Sequence, residues 1–401
     1  MSSENLRIKD FKHHCQSCMV TKLASQVGLQ CEKHEVTTED GYVITLFRIT
    51  PKEPTRSYTN QSKAKNSVLI LTGVVGDATL WFCGGNPSSL PNVLASSNYD
   101  VWLLEPRGCN NSKKHTSLSA EADPEFWNFS FHEIAVKDLP AAVDFVLATT
   151  SKQRLHFVGY SQGSMVGLVG LSEVAELNDK ISSYHGVAPV FMLKNMPMDM
   201  QLVASLVTSS WFPSNYLLGM EIKPNAMLVY LFWKLVLVVR RWLGEKKPDG
   251  VLSNSGVIHL DHYYGANIPY CLTVFSGTSF KNLLHGSQCI KSGETRQFDF
   301  GDEKNKKVYG SSAPPRYDIT KVEVPSYLYF GSIDNTSKMD DGQYIIDRLP
   351  NVNEVVNIEG FDHWDFPFGK RAPAECYSAL VKNLGEHEGM LNNIWNKFNI
   401  F

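Results

Sequence analysis

The sequence predicts an α/β fold in which a mainly parallel central sheet is flanked by helices and interrupted by one long insertion. Three observations lead to this prediction. Short apolar runs alternate with segments of helical periodicity in both terminal parts of the 401-residue chain, as they do in βαβ units. A serine between two glycines stands where one apolar run ends and a helical segment begins. A mixed, aromatic-rich stretch separates the two regular parts.

Seven segments of the chain are predicted to form strands. Residues 41–50 alternate between apolar and polar side chains, which is typical of a strand with one buried face. The other predicted strands are short apolar runs, as expected where a strand is buried on both faces. They comprise residues 67–71, 100–104, 155–158, 184–190, 326–330 and 354–358.

Two helices and an insertion complete the pattern. Residues 131–148 and 162–177 have helical periodicity, and Pro140 is compatible with the first helix if that helix starts or kinks nearby. Residues 192–307 break the alternation, so we interpret them as a cap or lid inserted over the carboxyl ends of the strands. The core would then comprise residues 1–191 and 308–401.

The motif Gly159-Tyr160-Ser161-Gln162-Gly163 lies at a predicted junction between strand and helix. A serine hydroxyl is a weak nucleophile at neutral pH, and it needs a nearby base and donors for the oxyanion that forms. A sharp turn from strand to helix exposes the hydroxyl, and glycines two residues before and after it prevent clashes. The motif therefore predicts Ser161 as a nucleophile and the Gln162 N–H as one oxyanion donor.

The order of a catalytic triad in such a fold is serine, acid, histidine. Asp334 lies four residues beyond the predicted strand 326–330, and His363 lies five residues beyond the predicted strand 354–358. These positions predict Asp334 as the acid and His363 as the base. Four other carboxylates stay open as the acid: Asp340, Asp341, Asp362 and Asp365.

A second oxyanion donor is expected from the loop that follows the early strand 67–71. Gly73 in this loop lets the backbone approach a substrate closely. The N–H of Val74 is the predicted donor.

Composition excludes some partners. The net charge of −3 gives no general attraction to nucleic acid or to an anionic membrane. The first residues are polar and charged and lack the apolar run of a secretory signal, which leaves the compartment open.

Cys15, Cys18, Cys31 and His34 have a spacing comparable to that of zinc sites. A zinc site therefore stays open beside ordinary or disulfide-bonded cysteines.

The most apolar segment, residues 226–239, is followed by Arg240, Arg241 and Trp242. It is shorter than the roughly 20 residues that a membrane-spanning helix needs, and Lys234 interrupts it. Two interpretations stay open: a buried helix, or a lid helix that contacts a lipid interface through residues 226–242.

Several motifs occur in order between about residues 25 and 377. They are CEKHEVTTEDGYVITLFRI, LTGVVGDATLW, DVWLLEPRGCNNSKKH, EFWNFSFHEIAVKDLPAAVDFVL, GYSQG, KSGETRQFDFG, APPRYDITKVEVPSYLYFGSIDN and FDHWDFPFG. Together they resemble the acid lipase family of α/β-hydrolases. The resemblance implies an α/β-hydrolase fold with a large cap and lid, and hydrolysis of water-insoluble esters such as triacylglycerols or steryl esters. It implies no cofactor and no metal, and members are usually secreted or lysosomal.

Carried over by motif, the family's nucleophile, acid and base correspond to Ser161, Asp334 and His363. Its oxyanion donors correspond to Val74 and Gln162. The chain departs from the family pattern at two positions, where histidine is usual. They are Thr72, before the glycine of the oxyanion loop, and Tyr160, before the serine of the elbow.

Two other functions stay open at this stage. The unusual Thr72 motivates a lipid-binding protein with impaired catalysis, since a fold does not guarantee its chemistry. Acyl transfer to an alcohol would use the same residues as hydrolysis. The sequence does not specify the ester or the oligomeric state.

Overall fold

The computed structural model describes residues 16–52, 66–82, 89–209, 211–223 and 276–386. The strands are β1 (Leu29–Thr37), β2 (Tyr42–Pro51), β3 (Ser67–Leu71), β4 (Asp100–Glu105), β5 (Lys114–His115), β6 (Leu155–Tyr160), β7 (Ile181–Val187), β8 (Glu221–Ile222), β9 (Thr278–Ser279), β10 (Ser326–Gly331) and β11 (Val352–Ile358).

The α-helices are α1 (Gln16–Gln26), α2 (Leu90–Ser96), α3 (Phe131–Glu133), α4 (Leu139–Thr150), α5 (Gln162–Glu173), α6 (Glu176–Lys180), α7 (Met198–Val207), α8 (Ser214–Leu217), α9 (Phe280–Ser292), α10 (Asp302–Tyr309), α11 (Met339–Arg348) and α12 (Asp365–Phe368). Short 3₁₀ or π-helical turns cover Ala78–Phe82, Pro124–Trp127, Ile134–Asp138, Ile319–Lys321 and Pro373–Tyr377.

A nine-stranded sheet forms the centre of the molecule. Its order is β1-β2-β4-β3-β6-β7-β10-β11, and β5 pairs with β2. Every neighbouring pair from β4 to β11 is parallel, whereas the pairs that involve β2 are antiparallel. The predicted mainly parallel sheet flanked by helices is thereby confirmed.

Each of the seven predicted strands is present, with ends that agree to within two residues except at β7, whereas β1 and the two-residue strands β5, β8 and β9 were not predicted. β7 begins and ends three residues before the predicted strand 184–190. β1 was not predicted at all, because it is a partly exposed edge strand with few apolar residues and no hydrophobic run. Edge strands of this kind give little sequence signal because only part of their surface is buried.

The predicted helix 131–148 is divided in the structure. The short α3 continues through the π-helical turn Ile134–Asp138 into α4. Pro140 lies in the first turn of α4, directly after the π-helical turn. A proline inside a continuous helix lacks an N–H and crowds the preceding turn, and the wider π-helical turn lies where this occurs. The predicted helix 162–177 ends earlier in the structure: α5 stops at Glu173, and the separate α6 follows it.

Apolar cores lie on both faces of the sheet. Successive side chains of β4 alternate between them, since Trp102 and Leu104 belong to one core and Val101 and Leu103 to the other. β4 is buried along its whole length, and its run of apolar residues reflects burial on both sides.

The predicted insertion 192–307 is described in part. It contributes α7, α8, the antiparallel pair of β8 with β9, α9 and most of α10. A small apolar cluster joins these elements around Phe280, Leu284 and Phe298. The apolar segment 226–242 lies outside the described residues, and the division at 191 and 307 stays a prediction. No helix in the described ranges is both long enough and apolar enough to cross a membrane.

Candidate active site

Ser161 occupies a sharp turn between β6 and α5. Its φ of 54° lies in the left-handed region, which is uncommon for a residue other than glycine. The flanking glycines are required by close backbone contacts. A Cβ on Gly159 would lie 2.5 Å from the carbonyl oxygen of Gly163, and one on Gly163 would lie 2.4 Å from that of Leu71. The turn therefore accepts only glycine at both positions.

Ser161, His363 and Asp334 form one hydrogen-bonded chain. The Nε2 atom of His363 lies 2.8 Å from Ser161 Oγ, and its Nδ1 atom lies 2.8 Å from Asp334 Oδ2. The three residues follow the carboxyl ends of β6, β11 and β10. These strands run parallel in the same sheet, with β7 between β6 and β10, so their carboxyl ends lie at the same edge.

Backbone groups orient the carboxylate of Asp334. Its Oδ1 atom accepts the N–H groups of Thr336 and Ser337, each at 2.8 Å. Its Oδ2 atom is left to face His363. All three side chains of the hydrogen-bonded chain are largely buried.

The other candidate acids have different partners. Asp341 accepts the backbone and side-chain N–H groups of Asn195 at 3.0 and 2.7 Å. Asp362 and Asp365 accept each other's backbone N–H groups at 3.0 and 2.8 Å. Asp340 is exposed on α11. Among the five carboxylates considered, Asp334 is the one that the structure places against the imidazole of His363.

The loop after β3 passes directly over Ser161. A Cβ on Gly73 would lie 3.0 Å from Ser161 Cβ and 3.3 Å from its Oγ. Val74 and Gln162 line the same small cavity. Gln162 is also the first residue of α5, where N–H groups have no intrahelical acceptor. Both predicted oxyanion donors therefore belong to segments that border the serine.

The two departures from the family motifs differ in their hydrogen bonding. The Tyr160 hydroxyl donates a 2.8 Å hydrogen bond to the backbone carbonyl of His363, and the two rings lie 5.2 Å apart. Thr72 is buried beside Gly76, and its hydroxyl has no hydrogen-bond partner among the described residues. In the sequence, Tyr160 is only a departure from the family pattern, whereas in the structure its hydroxyl contacts the loop that carries His363.

Buried carboxylates lie behind the oxyanion loop. Burial raises the pKa of Glu105 to about 8, and the neighbouring Asp77 adds to the shift. Burial also raises the pKa of Asp77. Asp77 accepts hydrogen bonds from the backbone and hydroxyl of Thr79 and from the Asn110 amide. Glu105 likewise accepts the Ala78 N–H at 3.1 Å, the Asn111 N–H at 3.3 Å and the Asn111 side-chain amide at 2.9 Å. Burial is therefore what raises the pKa of both carboxylates.

The zinc site that the sequence left as an alternative does not agree with the geometry of β1, which carries Cys31 and His34. Cys31 packs against the core that contains Val68 and Ile70. His34 lies 5.2 Å from the ring of Trp102, in the other core. The two side chains point to opposite faces of the sheet, so they cannot bind one ion. Within the described ranges there is no cluster of metal-ligating side chains.

The arrangement is suited to acyl transfer from an ester to a serine, and comparisons with known proteins point the same way. The alpha/beta hydrolase fold family matches residues 66–370, and the partial alpha/beta-hydrolase lipase region matches residues 20–85. Human lipase member M is 30% identical over 383 residues, which cover 93% of this chain and 87% of that protein. Gastric triacylglycerol lipase of Bos taurus is 30% identical over 371 residues, covering 92% of each chain.

The chain belongs to the acid lipase family of α/β-hydrolases.

Solved structures agree on the fold of this acid lipase. A monoglyceride lipase from Saccharomyces cerevisiae superimposes with a TM-score of 0.51 at 17% identity, covering 89% of this chain and 96% of that one. The α/β-hydrolase fold and the family expected from the sequence motifs are thereby confirmed. As a member of the family, the protein is a serine ester hydrolase.

Proposed function

We propose that this acid lipase hydrolyses lipid esters, such as triacylglycerols or steryl esters, through an acyl-enzyme on Ser161. The observation that carries the proposal is the chain of two 2.8 Å hydrogen bonds from Ser161 through His363 to Asp334. A serine within hydrogen-bond reach of a base, which is itself oriented by a carboxylate, is the arrangement that activates a hydroxyl for attack on an ester.

His363 first accepts a proton from Ser161 and then donates it to the leaving group. Its Nε2 atom accepts the Ser161 proton as Oγ attacks the ester carbonyl, and the new C–O bond places a negative charge on the former carbonyl oxygen. The N–H groups of Val74 and Gln162 stabilise that oxyanion. The imidazolium then donates the proton to the leaving alcohol, and the C–O bond of the ester breaks. Water repeats the sequence on the acyl-enzyme and releases the acid.

Asp334 holds the imidazole in one tautomer. Its carboxylate accepts the Nδ1 proton of His363, so Nε2 carries the lone pair that faces Ser161. The carboxylate also stabilises the imidazolium after proton transfer. Tyr160, through its bond to the His363 carbonyl, supports the loop that carries the base.

A lipid substrate is supported by two observations. The relatives include gastric triacylglycerol lipase. The insertion also presents apolar side chains to solvent: Met198, Leu202 and Leu206 along α7 are 70%, 64% and 58% exposed, and Trp211 is 94% exposed. Met198, Leu202 and Leu206 are spaced four residues apart, so they share one face of α7, and an exposed apolar helix face is typical of a site that meets a lipid or another apolar partner.

The expected contact of residues 226–242 with a lipid interface extends this proposal. It stays a prediction from sequence, together with the assignment of residues 192–307 as a cap. Unchanged binding to triolein emulsion after polar replacement of the apolar residues in 226–239 would contradict it.

Labelling with a fluorophosphonate tests the nucleophile, because this reagent reacts with an activated serine. Intact mass should show one adduct on the wild-type protein and none on Ser161→Ala. Ser172→Ala is the matched control, since Ser172 is a buried serine of the same helix that bonds to the Val169 carbonyl at 2.9 Å. Ser161→Ala should also lower triolein hydrolysis by at least about 10⁴-fold.

Different results would contradict the proposal. An adduct on folded Ser161→Ala, or retained hydrolysis by that variant, would assign the nucleophile elsewhere. Absence of label and hydrolysis in the folded wild-type protein would favour a lipid-binding protein. Ester product that exceeds free fatty acid when an alcohol is added would identify an acyltransferase.

A further inference from the structure

A short segment, Ser276 to Asn282, lies against both predicted donors of the oxyanion hole. It contains β9 and the first turn of α9, and it belongs to the predicted insertion. Gly277, Thr278 and Asn282 line the same cavity as Val74 and Gln162. The segment therefore borders the cavity between the oxyanion loop and the first turn of α5.

The first contact of this segment is with the oxyanion loop. Val75, next to the predicted donor Val74, has a φ of 55°. A β-branched residue in the left-handed region is strained and persists only where its surroundings hold it. The Ser276 N–H donates a 2.6 Å hydrogen bond to the Val75 carbonyl. Ser276 Oγ in turn accepts the Asn110 N–H at 2.7 Å, so the loop is tied to the segment after β4.

The second contact is with the nucleophile elbow. Asn282 Nδ2 donates to Gln162 Oε1 at 3.0 Å, and Gln162 Nε2 donates to Asn282 Oδ1 at 3.4 Å. Asn282 is buried, and its amide also donates to Thr278 Oγ1 at 3.1 Å. Asn282 therefore holds the side chain of Gln162, the residue whose backbone N–H is the other predicted donor.

The segment is itself fixed to the core. Ser279 caps α9 by accepting the Asn282 N–H at 2.9 Å, and its hydroxyl donates to the carbonyl of Phe129. Lys281 forms a buried ion pair with Glu133 at 3.2 Å. A fixed segment that bonds to Val75, the residue after Val74, and to the Gln162 side chain can hold the spacing of the two donors. This matters because oxyanion stabilisation depends on donors that are already in place.

We propose that the Asn282 side chain is a positioning group for the oxyanion hole, because it holds Gln162, while the backbone N–H of Ser276 holds the strained loop at Val75. The inference rests on the proposed function, since it assumes that Val74 and Gln162 stabilise the oxyanion. It assigns the insertion a role in catalysis beyond access to the site.

The test is a double-mutant cycle of Asn282→Ala and Gln162→Ala, assayed with the soluble ester p-nitrophenyl butyrate. Each single variant should lower kcat about tenfold, less than the hundredfold or more that loss of a donor itself causes. KM should change by less than about twofold, because the interaction acts in the transition state. The double variant should lose little more than either single variant, since both remove the same pair.

A second readout separates positioning from mere packing. Phenylboronic acid forms a tetrahedral adduct on an active serine, so its inhibition constant should rise in each variant by about the same factor as kcat falls. Gln288→Ala is the matched control. Gln288 also lies on α9. Its side-chain amide donates to the Asp299 carbonyl at 2.8 Å, and its side-chain oxygen accepts the Asp299 N–H at 2.9 Å, but Gln288 does not line the cavity. This variant should keep wild-type kcat.

Wild-type kcat and boronate affinity in folded Asn282→Ala, even with a lowered Tm, would overturn the proposal. Additive losses in the double variant would do the same. If Asn282→Ala does not fold, Gln162→Ala decides alone, because Gln162 is only partly buried and its backbone donor is retained. Failure of the proposed function is distinguishable, because the wild-type protein would then show no fluorophosphonate label and no ester hydrolysis.

Discussion

Ser161 and Val75 both have backbone torsions in the left-handed region, and both border the place where an ester carbonyl would bind. Each such torsion costs of the order of 1–3 kcal/mol for a residue other than glycine. Ser161 is held by its N–H bond to the Val187 carbonyl at 3.0 Å, and Val75 by the N–H of Ser276. Two of the five non-glycine residues with a positive φ in the described ranges therefore lie in the oxyanion loop and at the nucleophile.

At Asp334, replacement by asparagine should lower kcat by about 10³- to 10⁴-fold with little change in KM. The side-chain oxygen would accept the N–H groups of Thr336 and Ser337, so the amide would point its own N–H at His363. The imidazole would then carry its proton on Nε2 and could not accept one from Ser161. Steady-state hydrolysis of p-nitrophenyl butyrate measures this effect.

Asp340→Asn is the control for that substitution. Asp340 is an exposed acid a few residues further along the chain, and its replacement should leave kcat unchanged. Wild-type activity in Asp334→Asn would show that another carboxylate orients the base.

At the scale of the elements, α5 approaches the sheet closely because it contains glycine at the contact. A Cβ on Gly167 would lie 2.4 Å from Phe157 Cε1 and 2.8 Å from Tyr184 Cε2. Gly167→Ala should therefore destabilise the protein by about 1–3 kcal/mol through overpacking. Urea unfolding followed by tryptophan fluorescence measures the change.

Gly286→Ala provides the matched comparison for the same chemical change. Gly286 lies in the middle of α9, and nothing lies within 4 Å of the position that its Cβ would take. Alanine there should stabilise the protein by about 0.5–1 kcal/mol, since it has a higher helix propensity than glycine. Equal effects of the two substitutions would show that packing against the sheet does not determine the role of Gly167.

At the scale of the whole molecule, buried ionisable groups should make stability depend on pH in opposite directions. The pKa of Glu105 is raised from 4.5 to about 8 by burial, so the folded protein binds this proton more tightly than the unfolded chain. Its contribution is complete below about pH 4.5 and is lost as pH rises through 8. Burial lowers the pKa of His285 from 6.5 to about 3, so that contribution is lost as pH falls.

Comparison of wild type with Glu105→Gln isolates the first effect, because His285 is present in both proteins. The glutamine cannot ionise, so the stability advantage of the wild-type protein should shrink as pH rises from about 5 to 8. Urea unfolding at a series of pH values measures the difference. A difference independent of pH would contradict the assignment of a bound proton to Glu105.

Sequence by itself determined most of the sheet and the position of the elbow. Both depend on local pattern: strands buried on two faces are continuous apolar runs, and the turn at Ser161 requires Gly159 and Gly163 because of backbone contacts close to it. Edge strand β1 lacked such a run and was missed. The division of helix 131–148 at Ile134–Asp138 was missed because a π-helical turn has no distinct periodicity.

Only the tertiary structure decided which groups meet. Sequence spacing left five carboxylates as candidate partners of His363. It also allowed Cys31 and His34 to bind one metal ion, whereas the structure places their side chains on opposite faces of the sheet. The contacts of Asn282 with Gln162 and of Ser276 with Asn110 join residues 120 and 166 positions apart. No local pattern encodes such pairs, because they exist only once the folded chain has brought these distant segments together.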